Sequence, residues 1–175
     1  DDYNAAVAEH KARGRRDFWA GWDHTLADYP TLLTQGLDGL LTRVSASRKV
    51  HTTPTEQATL DGMRITLEAF SRFIRRHAAL AADTEMADRL EWIAAKPPRT
   101  FHEALQLVWL THIAFVSEGR YANALGRIDQ YLFPFYARDL TAGAPQQVTN
   151  LIGRGTEERP CPVQVVASFF PGTAL

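Results

Sequence analysis

Two adjacent prolines running straight into a helix start constrain this chain more than any other stretch: Pro97-Pro98-Arg99-Thr100-Phe101-His102-Glu103-Ala104-Leu105-Gln106-Leu107-Val108-Trp109-Leu110-Thr111-His112. Proline disfavours helical geometry in the residue before it, so any preceding helix stops here. Thr100 offers a side-chain oxygen to the orphan N–H groups of the next turn. Glu103, three residues on, is placed to reach back to the Thr100 N–H and complete a capping box. Phe101, Leu105, Val108, Trp109, His112, Phe115 and Val116 follow at spacings of three and four, with Leu107 and Leu110 adding apolar surface on the flank. A surface this apolar predicts burial on more than one side, which suits a central element of a large protein.

The rest of the chain reads as further helices. Residues 4–20 form a first one, weakened by Gly14, and Phe18, Trp19 and Trp22 form an aromatic patch after it. Asp28 caps a helix from about Pro30 to Val44, with Leu32, Leu33, Leu37, Leu40, Leu41 and Val44 on its buried face. Gly36 and Gly39 cost that helix up to about 1 kcal/mol each, which points to another backbone packed close. A polar linker over 45–54 ends in Thr53-Pro54, and a long helix runs from about Thr55 to Ala82 with a stripe of Leu60, Met63, Leu67, Phe70, Ile74, His77 and Leu80. Asp83 or Thr84 caps a shorter helix to Ala95. After the Pro97 helix comes a loop at Ser117–Arg120. A buried helix follows over Arg127–Leu140, bent or restarted at Pro134. From Thr141 prolines and glycines break every period, and only Val163–Phe170 reads as a strand.

The 175 residues suffice for one domain, and 45% apolar content excludes disorder. A net charge of −1 with mixed signs gives no pull toward nucleic acid or an anionic membrane. No run of about 18 apolar residues suggests a membrane span. A single cysteine, Cys161, excludes an internal disulfide and a four-cysteine zinc site, and it fits a reduced cytoplasm. The opening Asp1-Asp2-Tyr3, without an initiator Met or secretory pattern, reads as a cut.

Few residues carry recognisable chemistry. Asp23 beside His24 is an acid–base pair, a hydrogen-bonding clamp for substrate, or simply a surface histidine. His102 and His112, ten residues apart, lack the i, i+4 spacing of shared metal ligation, and His112 reads as a satisfied core histidine. Arg127 and Asp129 read as a structural ion pair. Cys161, between prolines, has no basic neighbour in sequence to activate it. No nucleophile-and-base set can be assembled, so no catalytic residue and no metal ligand is assigned.

The stretch Pro97–Gln106, followed by Gly126-Arg127-Ile128-Asp129-Gln130-Tyr131-Leu132-Phe133-Pro134-Phe135-Tyr136, resembles the paired motifs in the pyruvate formate-lyase domain of glycyl radical enzymes. The likeness is to the formate-lyase-like dehydratases and C–N or C–C lyases. Gly21-Trp22-Asp23-His24-Thr25-Leu26-Ala27-Asp28-Tyr29, followed by Gly36-Leu37-Asp38-Gly39-Leu40, is similar to an upstream stretch of that family in which a Gly-His pair precedes Asp-Tyr. Here the pair is Asp23-His24. The resemblance covers roughly residues 15–140.

The resemblance implies a ten-stranded α/β barrel wrapped by helices, of which this chain is a mainly α portion with little or no sheet. It implies a backbone glycyl radical near the family's C-terminus, installed by a separate iron–sulfur activating enzyme that uses S-adenosylmethionine. The radical passes to a cysteine on a central loop, whose thiyl abstracts hydrogen from substrate. It places Trp22, Asp23 and His24 near the substrate. The radical-bearing Arg-Val-x-Gly-Tyr type motif does not occur in these 175 residues, and Pro160-Cys161-Pro162 does not match the catalytic cysteine. The expectation is therefore a helical region over residues 1–140, an irregular tail over 141–175, no cofactor held by this chain, and no activity by itself. Its partners would be the remainder of the enzyme, a homodimer mate or the activating enzyme, with no nucleic acid or membrane. The alternatives are a non-catalytic helical module docking on another chain and a stand-alone helical enzyme using Asp23 and His24.

Overall fold

A computed structural model describes residues 24–120 and 123–143, together with four isolated positions nearer the N-terminus. The expected helix over 4–20, the strand over 163–170, Trp22, Asp23 and Cys161 lie outside the described residues, apart from those four positions. Five helices follow in order: α1 (Tyr29–Ser47), α2 (Pro54–Leu80), α3 (Thr84–Ile93), α4 (Phe101–Ser117) and α5 (Ile128–Thr141). The described residues contain no strand, only one isolated parallel bridge between Leu26 and Ala124. The fold is mainly α, as the sequence implies.

Short polar side chains set the helix starts. Asp28 caps α1, accepting from the Thr31 N–H at 3.1 Å. Thr53 and Glu56 form a complete capping box on α2, whose N1 position is Pro54. Asp83 caps α3 through the Glu85 and Met86 N–H groups. Thr100 caps α4, accepting from the Glu103 N–H at 3.1 Å. The expected box at this last site is only half made. Glu103 turns away from Thr100 and accepts instead from the Arg99 N–H at 2.5 Å and from the Arg99 guanidinium. The Phe101 N–H, left orphaned at that helix start, donates to Asp139 of α5 at 2.7 Å.

The link between α3 and α4 is the hub. Gly36 interrupts α1 with φ 63° and ψ −179°. A Cβ there would stand 2.5 Å from Pro97 N and 2.6 Å from Lys96 C, so the expected close backbone is the Pro97 link itself. The Asp38 N–H donates to the Ala95 carbonyl at 2.8 Å, and Lys96 Nζ reaches the Asp38 carboxylate at 2.8 Å. From α2, the buried Ser71 hydroxyl donates to the Ala94 carbonyl at 2.6 Å. From α3, Trp92 Nε1 donates to the Pro97 carbonyl at 2.8 Å. Gly39 does not share this role. The three atoms nearest to its Cβ would all belong to the Gln35 side chain, one turn back.

The core gathers Tyr29, Leu33, Leu37, Ile74, Ile93, Phe101, Leu107, Leu110 and Leu132. The N-terminal half of α4 is buried on several faces, and Leu107 and Leu110, read as its flank, are more buried than Trp109 and His112 on the expected stripe. On α2 the expected stripe holds at Leu60 and Ile74, but Met63, His77 and Leu80 are exposed. α3 runs back along the C-terminal third of α2, with Ser71 bonded to the Ala94 carbonyl and Arg75 to Glu91, and the face it covers holds Ser71, Ile74 and Ala78, so His77 and Leu80 turn away from it. The expectation of a buried α5 is also corrected. Only Leu132 is buried and Phe133 is 60% exposed, because α5 packs on α4 and, through Tyr131, on Tyr29 of α1, while Phe133, Pro134 and Leu140 face away from both. Nor does α5 restart at Pro134; it continues as one element, forgoing the bond a residue there would give the Gln130 carbonyl.

Candidate functional site

The stretch leading into α1 holds the one sequence-predicted site residue that is described. His24 is exposed and adopts a left-handed backbone, φ 48°. That region is uncommon for a side-chain-bearing residue, although histidine enters it more readily than most. It is followed at once by contacts to a segment almost a hundred residues away. The Thr25 hydroxyl donates to Asn123 Oδ1 at 2.9 Å, and the Ala124 N–H donates to the Thr25 carbonyl at 3.1 Å. Leu26 pairs with Ala124, and its side chain fills the space where a Cβ on Gly126 would stand, 2.8 Å from Leu26 Cδ1. Gly126 has φ 64°, which suits glycine twice over.

Aromatic rings carry this contact inward. Tyr29, fully buried, stacks on Tyr131 with centroids 5.4 Å apart, and the Tyr131 hydroxyl donates to the Leu125 carbonyl at 2.8 Å. Burial pushes the Tyr29 hydroxyl up to about 12 and raises Tyr131 as well, so both stay neutral; the Tyr29 hydroxyl, unlike that of Tyr131, is buried with no hydrogen-bond partner among the described residues. Hydrogen bonds from Thr31 hold the Asp28 carboxyl below its ordinary value, with the Arg43 charge a lesser contributor. Arg127 and Asp129 form the expected ion pair at 3.1 Å, both largely exposed.

An open apolar cavity of about 590 Å³ lies beside the turn, between α1 and α2. Ala27, Asp28 and Thr31 form one lip, Leu60, Leu67 and Phe70 the far wall. The other histidines lie apart from it. His102 Nδ1 is 3.4 Å from Arg89 Nη1, and burial, then the Arg89 charge, lowers its pKa. His112 stacks on Trp109 at 5.4 Å and is half-buried, with its Nδ1 unpartnered among the described residues, so it is not the satisfied core histidine expected. No group of three His, Cys, Asp or Glu side chains that could hold a metal ion occurs among the described residues.

The model of the pyruvate formate lyase-like family matches residues 3–154. The chain belongs to the pyruvate formate lyase-like family. Among its curated relatives is a protein of Escherichia coli named "Probable dehydratase YbiW", 33% identical over 160 residues, which cover 80% of this chain and 20% of that protein. The isethionate sulfite-lyase of Nitratidesulfovibrio vulgaris is 34% identical over 100 residues, 48% of this chain and 12% of that one. The solved hydroxyproline dehydratase of Clostridioides difficile, with trans-4-hydroxy-L-proline bound, superposes with a TM-score of 0.58 at 25% identity, over 79% of this chain and 20% of that one. This pyruvate formate lyase-like chain thus spans a fifth or less of the length of these relatives. Its helices are a partial portion of the glycyl radical enzyme barrel fold. Among the described residues, no helix is long and apolar enough to cross a membrane.

Sequence reasoning did not find Asn123. Its contact with Thr25 spans 98 positions, and neither residue type stands out where it sits.

Proposed function

We propose that residues 1–140 supply the N-terminal helical wall and one substrate-facing turn of a glycyl radical dehydratase or lyase acting on a small polar molecule. Residues 144–175, most of the expected irregular tail, lie outside the described residues. These 175 residues do not turn over substrate by themselves. The observation that carries the reading is that two of the stretches resembling the family meet: Leu26 lies against Gly126, and Tyr29 stacks on Tyr131. In this reading Trp22, Asp23 and His24 border the substrate. The radical glycine and the reactive cysteine come from family sequence beyond these residues. The chain works in the cytoplasm with the rest of the enzyme, a homodimer mate and an S-adenosylmethionine-dependent activating enzyme. Relatives of known structure include a glycerol dehydratase of Clostridium butyricum, so small polyols are the first probes. Anaerobic incubation of the chain with an activating enzyme and glycerol or 1,2-propanediol is expected to release no aldehyde above the control without activator. Aldehyde release dependent on the activator would overturn the claim of inactivity.

A second reading is a non-catalytic helical module that docks on another chain. The open groove between α1 and α2 and the exposed Phe133 and Leu140 favour it. Sedimentation that gives a monomer at all concentrations, with no partner retained, counts against this reading.

A further inference from the structure

We infer that Asn123 is a positioning residue for His24, acting through Thr25. This rests on the reading that His24 faces substrate and adds the device that aims it.

His24 is the only non-glycine residue with positive φ among the described residues, and it is exposed, so packing of its own ring does not hold it there. A left-handed residue persists where its neighbours over-determine it. Among the described residues, the neighbours placed to do so follow it in sequence. Thr25 is bonded through its hydroxyl to the Asn123 carboxamide and through its carbonyl to the Ala124 N–H. Asn123 is itself fixed, since its Nδ2 donates to the Arg120 carbonyl at 2.7 Å and the Arg120 N–H donates to the Phe115 carbonyl at 3.0 Å. A chain of hydrogen bonds thus runs from the end of α4, through Arg120 and Asn123, to Thr25. Leu26 leaning onto Gly126 closes the other side of the contact. The C-terminal end of the buried helix α4 sets the direction in which the His24 backbone turns.

The test is nuclear magnetic resonance on the chain itself, without substrate, so its outcome is separate from whether His24 binds anything. In the wild-type chain the His24 amide coupling and carbon shifts are expected to report a left-handed residue, with a cross-relaxation contact between the Thr25 methyl and the Asn123 side chain. Asn123→Ala and Thr25→Val are each expected to move the His24 signals to conformationally averaged values. Thr25→Ser, which keeps the hydroxyl, is expected to retain them. Amide signals of Leu33, Ile74 and Ile93 serve as the control for the fold. His24 signals that stay left-handed in both disruptive variants overturn the inference. So does a wild-type chain lacking the Thr25–Asn123 contact, a readout that does not depend on any variant folding.

Discussion

The Arg99 guanidinium closes over the buried Glu103 carboxylate, with Nη2 2.6 Å from Oε1, while the Arg99 N–H donates to Oε2 at 2.5 Å. Only 2% of the Glu103 side chain is exposed against half of that of Arg99, so the acid is the member that cannot be rescued by water. Breaking one partner of a buried, hydrogen-bonded charge pair leaves the other unsatisfied. Arg99→Ala, which leaves that acid buried without its guanidinium, is therefore expected to cost about 2–4 kcal/mol in urea unfolding. Arg99→Lys, which keeps the charge but not the fork, is expected to cost less. Equal midpoints for Arg99→Ala and wild type would contradict this.

Two glycines in the helices should respond to alanine in opposite directions. Gly36 has φ 63°, and an added Cβ meets the backbone of Lys96 and Pro97, which cannot yield without opening the hub. Gly36→Ala is expected to destabilise by about 2 kcal/mol or more. Gly62 lies within α2 with nothing within 4 Å of an added Cβ. Gly62→Ala is expected to stabilise by about 0.5–1 kcal/mol, through the smaller entropy loss of alanine in a helix. Thermal unfolding of the two variants in parallel checks the pair.

Stability should fall on mild acidification. Burial depresses the pKa of His102, with the Arg89 charge adding to it, and burial depresses His112. Free imidazole titrates near about 6.5. As pH drops below that value the unfolded chain takes up protons before the folded one, so the stability these groups lend is full above about 6.5. It declines as pH falls through the lower folded values. The urea midpoint is expected to be lower near pH 5.5 than near pH 7.5, and His102→Gln is expected to shrink the difference. A midpoint that rises on acidification would refute the sign.

How far the sequence carries the fold can be argued from particular residues. Asp28, Asp83 and Thr100 are legible as caps because a cap depends on residue type and a spacing of two or three positions, whereas Thr53, the cap of α2, reads in the sequence only as the end of a linker. Gly36 was legible as a close approach because a glycine inside an apolar helix stretch lacks a local reason. Burial was less legible. Met63 stands over the open groove, and His77 and Leu80 follow the period of α2 but lie off the face through Ser71, Ile74 and Ala78 that α3 covers; a period cannot tell which side its partner element takes. Glu103 satisfied the pattern of a capping box, yet Arg99 next door offered a charged donor and won it. The site was the least legible part. His24 was found through a resemblance, whereas Thr25 and Asn123 meet only because the chain returns after α4.

The account's central claim is that these helices are a portion of a glycyl radical enzyme whose radical glycine is encoded elsewhere in the family's sequence. The most direct measurement is electron paramagnetic resonance after anaerobic treatment with a reduced iron–sulfur activating enzyme and S-adenosylmethionine, with a full-length glycyl radical dehydratase and its own activator as the positive control. The account predicts a glycyl doublet in the control and none from this chain. A doublet arising from the 175-residue chain would contradict it.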